Sequence, residues 1–76
     1  MRTPLMTSLF DHDRTIEYVG GPWDGHRYTP MVNAAYPRHM HAPWEGELHL
    51  YVTKKKRGVI ALRYVGKVLP DGSCVQ

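Results

Sequence analysis

Apolar and polar positions alternate most regularly towards the end of the chain. Leu48, Leu50 and Val52 alternate with His49, Tyr51 and Thr53, and Ile60, Leu62 and Tyr64 alternate with Ala61, Arg63 and Val65. A period of two is the pleat of a β-strand, whose successive side chains face opposite ways. The runs are joined by "KKKRG", so together they predict a β-hairpin with a basic tip. One face is almost wholly aliphatic and is expected to meet the core, which leaves Tyr51 exposed on the other.

A shorter run, residues 15–19, is rich in β-branched and aromatic residues and stops at "GGP". It predicts a strand followed by a turn. An extended pattern resumes over 26–29 with Met31 and Val32, and Pro30 places it at a sheet edge or ends it. The two runs predict a second hairpin. Residues 33–46, "NAAYPRHMHAPWEG", show no clear alternation; a loop of this length either packs through its aromatics or carries a site. A short turn of helix is allowed around 33–35, and "LPDG" at 69–72 reads as a turn. With no helix-length amphipathic run, the expected fold is mainly β: a small antiparallel sheet or partly open barrel of four to five strands, with at most one short helix. Residues 1–14 read as a possible flexible arm and 15–76 as the single domain.

Length sharpens this picture. A chain of 76 residues has room for one core, because a domain near this size buries only about 60% of the surface its unfolded form exposes. Chains this small usually recruit a staple or a second copy. Cys74 has no second cysteine to pair with, so an intrachain disulfide is excluded and self-association becomes an expectation. The N-terminal segment is too short and polar for a secretory signal, and no stretch is apolar enough for a membrane helix. No membrane partner is expected, and the reading is of a cytoplasmic protein.

Charge is uneven. Up to Thr53 four basic residues stand against six acidic ones, a balance of −2, whereas from Lys54 onward six basic residues stand against Asp71 alone, a balance of +5. Such asymmetry favours an anionic partner.

The stretch "YVGGPWDGHRY", 18–28, poses its own question. A phosphate cradle needs converging backbone N–H groups, normally where a strand feeds a helix. Pro22 removes one such donor, no helix pattern follows, and neither the P-loop nor the dinucleotide spacing is met. Gly20, Gly21, Pro22, Asp24 and Gly25 are therefore read as a structural turn. These residues resemble the Y-x-G-G-P-x-D-G signature of small uncharacterised proteins of actinobacteria and their phages. "YVTKKKRGVIALRYVG" resembles the ending such proteins share. The resemblance covers 16–32 and 48–66. It implies a compact, mainly β protein of phage type and carries no catalytic residue.

Three groups of side chains bear on function. His39 and His41, two apart, point the same way in an extended segment, and His49 would complete a three-nitrogen metal site; the missing Cys/His pairs argue against one, and no metal or cofactor is assigned. Cys74, Ser8 and Ser73 lack the setting of a nucleophile, so no enzyme is expected. Lys54, Lys55, Lys56 and Arg57 form a basic tip that, with Arg63 and Lys67 nearby in sequence, is able to grip phosphates, with Tyr51 placed to stack on a base. Trp23, Tyr36 and Trp44 lie outside the alternating runs; one tryptophan is expected in the core, the other free to anchor a partner. The sequence reading is a non-enzymatic interaction module binding a host or phage protein through Tyr36, His39, His41 and Trp44. A nucleic-acid-binding module using Lys54, Lys55, Lys56 and Arg57 is its alternative.

Overall fold

The computed structural model describes residues 9–75. The chain is mainly β: a curled, mixed sheet forms a half-barrel. Its strands are β1 (Ile16–Val19), β2 (Arg27–Tyr28), β3 (His39–Trp44), β4 (Glu47–Lys56), β5 (Val59–Val68) and β6 (Cys74–Val75). The sheet order is β2-β1-β5-β4-β3, with β6 also pairing β5. Four pairings are antiparallel, while β1 lies parallel to β5, Tyr18 beside Leu62 and Val19 beside Arg63.

The predicted C-terminal hairpin is present, and it is tighter than the sequence suggested. Lys54, Lys55 and Lys56 belong to β4, and the turn is only Arg57-Gly58. Both turn residues have positive φ, 52° and 81°, the backbone of a type I′ turn that matches the twist of the flanking strands. Glu45-Gly46, with φ of 49° and 80°, closes β3 onto β4 in the same way. Half of the stretch expected to be a loop is thus a six-residue edge strand, from His39 opposite Val52 to Trp44 opposite Glu47. Pro43 is tolerated because an edge strand has one side free of ladder bonds. The helical turn falls at His12–Arg14 rather than 33–35, where Asn33 is left-handed at φ 68°.

The core takes the expected face of β5, with Ile60, Leu62 and Tyr64, but the opposite face of β4. Ile16, Tyr18, Ala42, Tyr51 and Leu62 form the buried cluster, and Trp23, Tyr28, Tyr36, Met40, Ile60 and Tyr64 pack against it. On β4 it is His49 and Tyr51 that point inward, Tyr51 completely buried, whereas Leu48 is 44% exposed. Alternation fixes which residues share a face, and the rest of the fold decides which face is inside. A β-bulge then resets the phase of β5: Tyr64 pairs with Tyr51 and Gly66 with Leu50, leaving Val65 as the extra residue. Arg63, Val65 and Val68 consequently share the outer face with Leu48, Leu50 and Val52.

Of the expected N-terminal arm, residues 1–8 lie outside the described residues. Residues 9–14 are tied to the domain. Phe10 bridges Met31, the Asp11 N–H donates to the Pro30 carbonyl at 2.7 Å, and Arg14 reaches the carbonyls of Met31 and Ala34 at 3.1 and 2.7 Å.

Candidate functional site: an outer basic face

The glycine-rich stretch is a turn clasped from inside the barrel. Gly20 and Gly21 have φ of 86° and 65°. The Asp24 carboxylate accepts from the Gly20 N–H at 2.7 Å, and the Gly25 N–H donates to the Tyr18 carbonyl at 2.9 Å. The Tyr51 hydroxyl fastens this turn at two points, donating to the Gly20 carbonyl at 2.6 Å and accepting from the Trp23 N–H at 2.9 Å. A Cβ on Gly21 would sit 2.4 Å from a Tyr64 ring carbon and 2.6 Å from the Tyr51 hydroxyl oxygen. The motif's converging groups are thus occupied by the protein's own side chain, which leaves no cradle for a ligand. Burial pushes the phenols of Tyr18 and Tyr51 above their ordinary value, the Trp23 N–H opposing the shift at Tyr51.

Tyr51 is therefore not available to stack on a base, contrary to the sequence reading. Tyr36 is also structural: its hydroxyl donates to the Arg14 carbonyl at 2.8 Å, and the Arg14 guanidinium lies 5.4 Å from its ring centre. Trp23 is the inward tryptophan, packed edge-on to Tyr18 at 5.1 Å with its indole N–H on the Pro43 carbonyl at 3.1 Å. Trp44 remains 44% exposed.

The three histidines are split between the two sides of the sheet. His39 and His41, opposite Val52 and Leu50, share the outer face, with ring centres 5.8 Å apart. His49 faces inward, its Nδ1 2.8 Å from the Tyr64 hydroxyl and its Nε2 3.7 Å from Glu47. The sheet lies between His49 and the other two, and no group of three metal-ligating side chains occurs among the described residues.

The cations, by contrast, are brought together. The pairing of β3 with β4 stops at Val52, and β1 touches β5 only at Leu62 and Arg63. Residues 54–60 consequently form a two-stranded ribbon whose strands have only each other for ladder bonds. Lys54, Lys55, Lys56 and Arg57 are all exposed on it. The sequence holds no acid between Leu48 and Pro70. The ion pairs among the described residues lie elsewhere: Arg14 with Asp11, Arg27 with Glu17, and Lys67 and His49 with Glu47. Arg38 adjoins the ribbon's root, where its carbonyl accepts from the Thr53 N–H at 3.1 Å.

No known protein family, curated protein or solved structure matches the chain. The site is therefore read from its geometry.

At the root of the ribbon, Val52, Lys54, Lys56, Arg63 and Val65 help to line an open groove of about 550 Å³. Arg63 sits between Val52 on β4 and Val19 on β1. Its Nε is buried and has no hydrogen-bond partner, a condition that costs about 1–3 kcal/mol for an unmet polar group. The sequence places Arg63 among the cations near the tip, but its unmet Nε is not legible there, because alternation shows only one more polar position in a strand.

Proposed function

We propose that this protein is a non-enzymatic nucleic-acid-binding module that grips duplex DNA with its basic ribbon. The observation that carries this reading is the ribbon itself: four consecutive cations on a two-stranded arm, none of them engaged by an acid among the described residues. A two-stranded β-ribbon fits the major groove of B-DNA, and lysines along it meet phosphates on either side. Duplex is favoured over single strands because the tyrosine that would have stacked on bases is inside the barrel. In this reading the protein works where DNA is found, in the cytoplasm of a bacterial host, as suits the resemblance to phage proteins.

The test is fluorescence anisotropy with a labelled 25-base-pair duplex at several salt concentrations. Replacing Lys54, Lys55, Lys56 and Arg57 with Gln is expected to remove measurable affinity and to flatten the salt dependence of any residue by about 3 to 4 in logarithmic slope. Unchanged binding, or none by the native protein, would sink the proposal.

A second reading rests on the β3 edge. Trp44 is an exposed tryptophan on an edge strand, with His39 and His41 exposed on the other face of the same strand, and tryptophans are favoured anchors for protein partners. Under that reading Trp44→Ala abolishes capture of a single host protein in nuclease-treated lysate while the ribbon variant retains it.

A further inference from the structure

Arg63 differs from the other outer-face cations in its setting. Lysines on the ribbon are exposed and pivot freely, which suits them to non-directional attraction. The Arg63 stem is held between Val19 and Val52, and its Nε is buried without an acceptor. Both neighbours are aliphatic, so neither satisfies the guanidinium. Arg63 thus helps to line the groove with a hydrogen-bond donor unspent.

We infer that Arg63 is a phosphate-orienting residue: its guanidinium takes one phosphodiester oxygen pair in the groove beside Lys54 and Lys56, and so sets the angle at which the ribbon enters the duplex. This rests on the duplex-binding reading for the identity of the ligand, and on the groove alone for the anion site. Arginine suits this role because its rigid fork matches two phosphate oxygens at once, whereas an ammonium offers a point charge. The groove, at about 550 Å³, has room for a phosphate and its flanking sugar.

The experiment follows the Arg63 side-chain Nε–H signal by NMR in the full chain while inorganic pyrophosphate and, separately, the 25-base-pair duplex are added. Arg63→Lys and Arg63→Gln are measured in parallel, with thermal melts to show that each folds. The expected result is a shift of the Arg63 signal with both ligands. Arg63→Lys should also weaken duplex binding by about tenfold with the salt slope unchanged, since charge is kept and the fork is lost. Lys54→Gln with Lys56→Gln should instead lower the slope by about 2. An Arg63 signal that stays still with both ligands overturns the inference, as does Arg63→Lys binding duplex like the native protein. A signal that answers pyrophosphate while duplex is not bound at all keeps the anion site and removes the duplex reading.

Discussion

Gly21 and Gly58 both adopt a left-handed backbone, at φ of 65° and 81°, yet they are glycine for different reasons. Around Gly58 nothing lies within 4 Å of where a Cβ would be; around Gly21 that position is filled by Tyr64 and Tyr51. The first glycine answers only to its own dihedral, while the second answers also to the core. The same contrast separates the two regions they belong to. Inside the barrel the turn at 20–25 is held by hydrogen bonds and aromatic edges, Tyr18 to Tyr51 at 5.0 Å and Tyr51 to Tyr64 at 5.3 Å. Outside it, the ribbon is held by ladder bonds and a tight turn, with only Ile60 at its root packed against the core, and its four cations stay exposed.

Substitutions at the two glycines probe this contrast most strongly. Gly21→Ala combines an unfavourable dihedral with overpacking and should cost about 3 kcal/mol, read from the urea midpoint of unfolding. In so small a domain that is enough to leave much of the chain unfolded. Tyr51→Phe comes next, at about 2 kcal/mol, because it strands the Gly20 carbonyl and the Trp23 N–H together. Gly58→Ala should cost only about 1 kcal/mol, from the dihedral alone. If the two glycine variants were equally destabilised, packing would not be what distinguishes the turns.

Smaller effects sharpen the picture. Exchanging the four ribbon cations for Gln should move stability by less than about 0.5 kcal/mol in urea while abolishing DNA binding, which would separate the ribbon's duty from the fold's. Alkaline titration gives the last test, followed by ultraviolet difference absorbance beside stability. Burial raises the Tyr18 and Tyr51 phenols in the folded chain, so folding favours their neutral form. That contribution is complete below the ordinary tyrosine range and is lost as pH rises through the raised folded values. Two phenols ionising above the ordinary tyrosine range are expected in the folded chain, and in Tyr51→Phe only one.

Much of the fold was legible because period-two alternation marks strands directly, and 48–53 and 59–65 carried it cleanly. The edge strand β3 escaped because Pro43 argues against a strand and Glu45-Gly46 lacks the Asn-Gly or Asp-Gly chemistry that announces a type I′ turn. The inward face of β4 was misjudged for a different reason. Leu48, Leu50 and Val52 are the more apolar set, but the clasped turn at 20–25 needs a hydroxyl beneath it, and Tyr51 supplies one while burying a ring. That preference arises from a partner far along the chain, which local patterning does not contain. Of the site, the basic run was plain in the sequence. Arg63 was legible as a cation near that run, but its isolation was not, since it depends on Val19 arriving beside it from β1.

The arrangement of β1 beside β5 also orders events during synthesis. Strands β3, β4 and β5 follow one another through two-residue turns and need only local contacts, which close quickly. The strand β1 leaves the ribosome long before them but pairs in parallel with β5 at Leu62 and Arg63, a closure whose entropic cost is met only once that distant segment has emerged. Tyr18 and Trp23 therefore emerge before the Tyr51 and Leu62 surfaces they are shaped to cover. The meander assembles first as a template, and the N-terminal hairpin docks onto it last, completing the barrel's interior in a single late step.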